Sequence, residues 1–314
     1  MVRVDGRYGT LKRFHRSVLR SRSTDWKSGM ATLRCGGGGR VWIMPEIRFV
    51  ASGRALLAVE AIGEGPPVVF LHSNAGDRRE WGGVMASLGL GHQAIAYDRR
   101  GFGKTRAQRE DHSAVADLFT TLDALTDEAP AVLVGCSMGG KLALDAALRH
   151  PARVRGLVLI APSVAGAPPP DYSPEVAEVM AWARAEEASG NLDRAAAAKA
   201  QLWLDGPFVP EGRVGGNARR LFLDAVGIAL RAASVGPNLD DTAAYERFAE
   251  LGIPVLVIQG DLDFPHIAAR SRHVAATVPN GTSHVLADVA HLAALERPHE
   301  VADLVTDFHN HCSG

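Results

Sequence analysis

The stretch Pro130-Ala-Val-Leu-Val-Gly135-Cys-Ser137-Met-Gly139-Gly140 decides the fold, because an apolar run passes through a tight turn directly into a helical run. In a Gly-x-Ser-x-Gly turn between a strand and a helix, the serine hydroxyl projects above the sheet edge and the glycines leave room where the backbone doubles back. The helix N-terminus behind Ser137 offers unpaired N–H groups and partial positive charge to an oxyanion. This context predicts a nucleophilic serine rather than a purely structural turn.

Strands and helices alternate along the chain on both sides of this turn. Strands are predicted at 47–50, 56–61, 68–71, 94–97, 131–134, 156–160, 254–258 and 283–286. Helices are predicted at 79–88, 113–126, 140–149 and 298–310. Several of the strands are continuous apolar runs, which is typical of strands buried on both faces. The alternation predicts an α/β fold whose eight-stranded sheet is mostly parallel, with helices on both faces and an antiparallel pair at its start.

Residues 163–251 interrupt this alternation. They begin with a cluster of prolines and continue through Ala-rich helical runs, without a strand-like run. The helical runs are 174–189, 192–204 and 218–233. We interpret the segment as a helical lid inserted into a core formed by residues 44–162 and 252–314. The alternative is a set of surface helices that have no role in substrate binding.

Residues 1–43 differ in composition from the rest of the chain. They contain ten Lys or Arg but only Asp5 and Asp25 as acids, and they lack apolar periodicity. Three interpretations are a nucleic-acid or membrane-binding tail, a transit peptide, and a non-native upstream extension. A glycine run near the end of the segment argues against a transit peptide, which needs an amphipathic helix. We favour the non-native upstream extension, and we expect it to be disordered and without a role in catalysis.

Bulk composition limits the classes of function. The 314 residues are 46% apolar, which is ample for a large buried core, and the formal net charge is −1 at pH 7. A chain with this balance lacks the overall basic footprint of a nucleic-acid-binding protein. No charge-free apolar run reaches the roughly 18 residues that a membrane span needs. The expected partner is therefore a small molecule, not nucleic acid or a membrane.

The cysteines indicate neither a disulfide framework nor a zinc site. The three of them, Cys35, Cys136 and Cys312, are too few and too scattered for either. We expect a cytoplasmic protein, and a homo-oligomer stays open as its state of assembly.

A serine nucleophile requires a base and a carboxylate that orients the base. Both are expected in loops at the carboxyl ends of strands, on the same edge of the sheet as Ser137. The strand at 254–258 is followed by Asp261 and Asp263, so two acids lie where one is needed. Asp263 is favoured, because Asp261 lies immediately beside the strand end and is constrained by the sheet. A carboxylate two residues further along can turn toward the edge that carries Ser137.

His291 is the candidate base among twelve histidines. It follows the strand at 283–286 directly, so serine, acid and histidine occur in the chain order of a strand–turn–helix hydrolase. Five other histidines lie on predicted helices or in the tail, and we interpret them as solvated surface residues rather than as the base: His266, His273, His299, His309 and His311.

The loop after the strand at 68–71 is the candidate source of a second oxyanion donor. It contains His72, Ser73 and Asn74, followed by small residues. The backbone N–H of Asn74 is expected opposite that of Met138. We interpret His72 as a residue that braces this loop rather than as a catalyst.

Two cofactor motifs fail on inspection. The run from Gly101 to Thr105 resembles the end of a phosphate-binding loop, but Asp98 occupies the position of its first glycine. A dinucleotide fingerprint fails as well, because Arg106 replaces its third glycine. No nucleotide cofactor is implied. Asp261 and Asp263 could suggest a metal site, but no further cluster of ligand residues supports one.

Five motifs together resemble the α/β-hydrolase superfamily over residues 46–310. They are Leu71-His-Ser-Asn-Ala-Gly-Asp77, Tyr97-Asp-Arg-Arg-Gly-Phe-Gly103, Gly135-Cys-Ser-Met-Gly-Gly140, Gly260-Asp-Leu-Asp263 and His291 with Glu296-Arg-Pro298. The chain is most similar to small esterases, 3-oxoadipate enol-lactonases and haloperoxidase-like hydrolases. The resemblance implies that Asp263 is the acid. Ser73 departs from the glycine of many relatives, although enol-lactonase-like members carry serine there.

The sequence therefore predicts a serine hydrolase that cleaves a carboxylic ester or lactone through an acyl-enzyme. Trp81, Trp182 and Trp203 are candidate walls of an apolar pocket, with ordinary core or lid packing as the alternative. Two other functions stay open: hydrolysis of a C–C bond in a ring-fission dienoate by the same triad, and a non-catalytic receptor on a hydrolase scaffold. These motifs specify fold and triad more strongly than substrate.

Overall fold

The computed structural model describes residues 2–4, 7–9, 31–34, 40–43, 46–88 and 91–312. It has four short strands near the N-terminus: β1 (Val2–Val4), β2 (Arg7–Gly9), β3 (Ala31–Arg34) and β4 (Arg40–Ile43). These pair as an antiparallel sheet in the order β2-β1-β4-β3. The sequence pattern did not predict these strands. The rest of 1–43 lies outside the described residues, so disorder there stays a prediction.

We expect that deletion of residues 1–43 leaves turnover and Tm nearly unchanged. In the described part of the chain, the main sheet is built from strands that begin at Arg48 or later, and the small sheet is separate from it. The test compares melting curves and ester turnover of the full and shortened chains. A large loss of soluble yield or of turnover would contradict the assignment.

The main sheet has nine strands. They are β5 (Arg48–Ser52), β6 (Ala55–Ile62), β7 (Pro67–Leu71), β8 (Gln93–Tyr97), β9 (Arg106–Ala107), β10 (Ala131–Cys136), β11 (Val154–Ile160), β12 (Val255–Gly260) and β13 (Gly281–Leu286). Their order is β13-β12-β11-β10-β7-β8-β6-β5. The strands from β13 to β8 pair in parallel, and the pairs of β6 with β8 and with β5 are antiparallel.

The predicted number of eight strands was one too low. The additional strand is β9, which pairs with the start of β6 through Ala55 and Leu56. A strand of two residues has no apolar alternation of its own, so it leaves no signal in the sequence.

Nine α-helices lie in the described part of the chain. They are α1 (Gly82–Leu88), α2 (Ala114–Asp123), α3 (Met138–Arg149), α4 (Pro174–Ala188), α5 (Leu192–Ala200), α6 (Gly216–Arg231), α7 (Pro265–Thr277), α8 (Ala293–Glu296) and α9 (Pro298–Cys312). Side-chain caps fix several starts: Ser113 accepts from Ala116 N before α2, and Asn191 accepts from Arg194 N before α5.

The sheet buries both faces. Along β7, Val68 and Phe70 belong to one apolar cluster, whereas Val69 and Leu71 belong to another. The first cluster includes side chains of α1 and α9, and the second includes side chains of α2, α3 and α7. Because successive residues of a strand point to opposite faces, this division places helices on both sides of the sheet.

The inserted segment contains the three α-helices α4, α5 and α6, followed by an irregular stretch that leads back to the core. Helices α4 and α5 share a small apolar cluster with Phe264 and Ile267 at the start of α7. After α6 the chain returns along the core: the Asp240 carboxylate accepts from Val115 N at 2.9 Å, and Phe248 lies in the core. The last α-helix of the inserted segment therefore ends at Arg231, whereas the predicted lid was drawn to residue 251, and a lid function stays a prediction.

Candidate active site

Four loops meet at the carboxyl edge of five neighbouring parallel strands. The loops follow β7, β10, β12 and β13, which lie within the order β13-β12-β11-β10-β7. Register keeps the strand ends level, since Gly135 pairs with Leu71 and Gly260 pairs with Leu286. This arrangement brings residues from four distant parts of the chain to one edge of the sheet, where α/β folds bind their ligands.

Ser137 lies on a strained turn between β10 and α3. Its backbone has φ 51° and ψ −114°, in the left-handed half of conformational space that a non-glycine residue rarely adopts. A Cβ at Gly139 would collide with the carbonyl oxygen of Leu71, and one at Gly135 would collide with the Gly139 backbone. The two glycines therefore permit the close approach of turn, strand and helix that the strained serine requires.

The structure brings Asp263 and His291 together. The Asp263 Oδ2 atom lies 2.7 Å from His291 Nδ1, and both side chains are buried. The other carboxylate oxygen of Asp263 accepts from Phe264 N at 2.7 Å. Asp261, by contrast, is exposed. The carboxylate that orients the imidazole is thus that of Asp263.

The loop of the expected oxyanion donor is held by Arg99. The guanidinium donates to the carbonyl oxygens of His72 and Ser73 at 3.1 and 2.9 Å, and to Asn74 Oδ1 at 2.9 Å. The Arg99 group also stacks over the Phe102 ring, 4.8 Å from its centroid. Burial lowers the pKa of Arg99 to about 10, so the group stays cationic at neutral pH.

His72 braces the same loop, as its sequence position indicated. Burial, together with the nearby Arg99 cation, lowers the pKa of His72 well below its usual range, which keeps the ring neutral. The Nδ1–H group then donates to Ser73 O at 2.6 Å, and Nε2 accepts from Arg99 N at 3.0 Å. Both ring nitrogens are occupied by these loop contacts.

The two expected oxyanion donors lie on loops at this edge of the sheet, and their role stays a prediction. Asn74 is exposed on the rim, and Met138 is the first residue of α3. Backbone N–H groups in the first turn of a helix have no acceptor within that helix, so the Met138 N–H is available to a substrate oxygen.

Glu80 is a buried residue of the site that sequence reasoning missed. Its Oε2 atom accepts from Ser73 N at 3.1 Å and from Ser73 Oγ at 2.9 Å. A Cβ at Gly76 would collide with the same oxygen. Burial raises the pKa of the Glu80 carboxyl to about 7, against the opposing effect of the Ser73 donors. Its position next to Trp81 in a helical run gave no sign of contact with the site.

The histidine loop is braced by Glu296 and by Arg213 of the inserted segment. The Glu296 carboxylate accepts from Ala290 N at 2.9 Å and pairs with Arg213 at 2.5 Å. Arg213 also donates to Asp288 O at 2.9 Å. Thus Arg213 of the inserted segment and Glu296 of the fifth sequence motif fix the turn that precedes His291.

The three candidate pocket tryptophans fall in different places. Trp203 packs against His291, with ring centroids 4.8 Å apart, and against Phe264 at 5.3 Å. Trp81 is fully buried and packs on Phe70 in the core, so the structure does not bring it to the site. Trp182 is 43% exposed on α4.

Within the described residues, no group of three or more His, Cys, Asp or Glu side chains is arranged to hold a metal ion. The searched part of the chain also has no helix long and apolar enough to cross a membrane. The glycines at 101 and 103 belong to a structural loop, because Asp98 accepts from Lys104 N at 2.7 Å and fills the space beside Gly103.

A model of the alpha/beta hydrolase family matches residues 68–304. The chain belongs to this family and is an enzyme. The matched residues include the loops of Ser137, Asp263 and His291. The resemblance and the α/β-hydrolase fold predicted from the sequence are confirmed. The receptor alternative is not supported.

Individual relatives of this hydrolase differ in their stated activities. It is 29% identical to the Mycobacterium tuberculosis protein named "Putative non-heme bromoperoxidase BpoC", over 280 residues covering 80% of this chain and 97% of the relative. It is 40% identical over 121 residues to 2-hydroxy-6-oxo-2,4-heptadienoate hydrolase of Pseudomonas putida, covering 36% of this chain and 43% of that protein.

The solved structure of carboxylesterase CesB from Bacillus subtilis superposes with a TM-score of 0.65. Its sequence is 21% identical, and the superposition covers 87% of this hydrolase and 93% of that chain. At this identity the likeness establishes the fold, and the substrate must be inferred from the site.

Proposed function

We propose that this hydrolase cleaves a carboxylic ester or lactone through an acyl-enzyme on Ser137. The observation that carries the proposal is the buried pair of Asp263 and His291, 2.7 Å apart, at the same sheet edge as the strained serine turn. A carboxylate on Nδ1 fixes the imidazole tautomer and leaves Nε2 free to accept a proton.

The reaction begins when the Ser137 hydroxyl attacks the carbonyl carbon while its proton passes to His291 Nε2. The Asp263 carboxylate stabilises the imidazolium that forms. The negative oxygen of the tetrahedral intermediate accepts hydrogen bonds from the N–H groups of Asn74 and Met138. The imidazolium then protonates the alkoxide that leaves, and the acyl group stays on Ser137.

Water completes the cycle in the second half. His291 removes a proton from a water molecule, which attacks the acyl carbon, and the same oxyanion donors hold the second intermediate. Collapse of that intermediate returns the proton to Ser137 and releases the acid. For a lactone the alkoxide and acid belong to one molecule, so a single hydroxy acid is released.

The site favours substrates with an apolar part. On the lid side, the ring of Trp203 covers the catalytic histidine and packs on Phe264. Rings in this position shield the site from water and shape the pocket. A comparison of turnover between p-nitrophenyl esters of increasing acyl length and a series of lactones tests the proposal. Absence of turnover on every ester and lactone would contradict it.

Hydrolysis of a C–C bond in a ring-fission dienoate is the second candidate. The 40% identical stretch in a dienoate hydrolase favours it, although the stretch covers 36% of this chain. The same panel separates the two functions when a dienoate is included, since the preferred substrate has the larger kcat/KM. A cytoplasmic location and a homo-oligomer remain sequence-based predictions.

Replacement of Trp203 by alanine is expected to change substrate selectivity. The Trp203 ring packs 4.8 Å from the His291 ring, and its removal opens the pocket. The kcat/KM of esters with longer acyl chains should therefore rise relative to that of the acetate ester. The expected change in the ratio of their kcat/KM values is roughly 3–10-fold. Trp182→Ala is the matched control, because that ring is exposed on the lid. Equal selectivity in wild type and Trp203→Ala would argue against a substrate-facing lid at this position.

A further inference from the structure

The buried carboxylate of Glu80 lies where three loops of the site meet. On one side it accepts two hydrogen bonds from Ser73 in the oxyanion loop, residues 72–77. On another side it neighbours the thiol of Cys136, the residue before the nucleophile. That thiol lies 3.7 Å from the carbonyl oxygen of His291. One acidic side chain is thus in contact, directly or through one neighbour, with all three loops.

Glu80 and Arg99 both hold the oxyanion loop, one as an acceptor and the other as a donor of hydrogen bonds. The carboxylate accepts from the N–H and O–H groups of Ser73, while the guanidinium donates to the carbonyl oxygens of His72 and Ser73. Ser73 Oγ in turn accepts from Ala75 N at 3.2 Å, so the bonds flank Asn74 on both sides. A loop fixed in this way presents its Asn74 N–H in one direction before substrate arrives.

We propose that Glu80 is a positioning residue of the hydrolase site, which orients the oxyanion loop through Ser73. The inference rests on the proposed function. Glu80 touches neither substrate nor reacting atoms, and it acts through the loop that does.

A purely structural role explains the carboxylate less well. An apolar side chain of similar volume would fill the same space without the desolvation cost of a carboxylate. Apart from Ser73, the polar neighbour of the carboxylate is the weakly polar Cys136 thiol, and the buried Oε1 atom makes no hydrogen bond of good geometry with any described residue, so the side chain is not fully satisfied as a structural anchor. Partly satisfied buried groups of this kind are found at functional sites.

The charges around Glu80 determine how pH acts on it. Burial raises its pKa to about 7, whereas Ser73, Cys136 and the attraction of His291 oppose that rise. Arg99 faces it from the loop after β8. The ionised carboxylate holds Ser73 by charge-assisted bonds, which are roughly twice as strong as neutral ones.

The test is Glu80→Gln, assayed on p-nitrophenyl acetate over a range of pH. The amide keeps the volume but removes the charge, so kcat should fall roughly 10–100-fold with little change in KM, since the loop acts on the transition state. Because the Glu80 carboxyl ionises near pH 7, the wild-type pH profile of kcat should include a rise near that pH, and Glu80→Gln should lack it. A structural role alone would leave the pH profile of kcat unchanged.

Asp117→Asn is the matched control. Asp117 is a buried carboxylate that binds Arg100 and Ser52 away from the site. This variant should lower Tm while kcat and the pH profile stay those of the wild type, which separates lost stability from lost positioning.

Ser73→Ala supports the test if Glu80→Gln fails to fold. It removes one of the two bonds to Glu80 and should lower kcat by roughly 3–10-fold. In the double variant the two effects should be less than additive, because both residues act on one loop. Wild-type kcat and an unchanged pH profile in Glu80→Gln, or wild-type kcat in Ser73→Ala, would overturn the inference. Lack of turnover in the wild type would instead contradict the proposed function.

Discussion

Replacement of Ser137 by alanine is expected to abolish ester hydrolysis while the fold stays intact. Loss of the nucleophile removes the covalent step, and removal of a triad serine lowers kcat by about 10⁶-fold in the subtilisin example of this chemistry. The side chain is only partly buried at the sheet edge and packs little. The backbone at φ 51° is equally strained for alanine and serine, so Tm should change little.

The matched control is Ser87→Ala. Ser87 is a partly buried serine of α1, and its hydroxyl donates to Gly83 O at 2.8 Å. This variant should retain the turnover of the wild type. Full turnover in Ser137→Ala, with the purity of the preparation checked by mass spectrometry, would exclude Ser137 as the nucleophile.

Replacement of Asp263 by asparagine is expected to lower kcat by about 10²–10⁴-fold. The carboxylate binds His291 Nδ1 at 2.7 Å and Phe264 N at 2.7 Å. An amide of the same shape preserves the fold but presents either a donor to Nδ1 or a neutral acceptor. The donor orientation imposes the wrong tautomer, and neither orientation stabilises the imidazolium as a carboxylate does.

Asp261→Asn is the control, because Asp261 is exposed two residues earlier on the same loop. We expect its kcat to stay close to the wild-type value. Measurement of kcat for both variants on one ester is sufficient. A large loss of kcat in Asp261→Asn, together with nearly wild-type kcat in Asp263→Asn, would assign the orienting carboxylate to Asp261.

Features that depend on local sequence were predictable. The strand–turn–helix around Ser137 and the acid and histidine after β12 and β13 follow from short patterns, because each residue lies directly at a strand end. The eight longer strands of the main sheet were likewise predicted, several of them from continuous apolar runs. Two residues of β9 are not, because their pairing with β6 is decided by the tertiary structure.

Features that depend on contacts between distant residues were not predictable. Arg99 follows β8, and only the folded chain brings its guanidinium to the Ser73 carbonyl oxygen. Glu80 is only seven residues from Ser73, but nothing in its helical run indicates that the carboxylate turns back to that residue. The tryptophans show the same limit. Residue type indicated an apolar wall, but packing decides that Trp203 meets His291 while Trp81 lies in the core.

The central claim is that Ser137 carries the acyl group during turnover, and trapping of the acyl-enzyme tests it most directly. The hydrolase is mixed with excess p-nitrophenyl acetate, quenched in acid during the first turnovers, digested and analysed by peptide mass spectrometry. We predict one acetyl group on the peptide that contains Ser137, together with a burst of p-nitrophenol, and neither in Ser137→Ala. An acetyl group on a different residue that turns over at the catalytic rate, with Ser137 unmodified, would contradict the account.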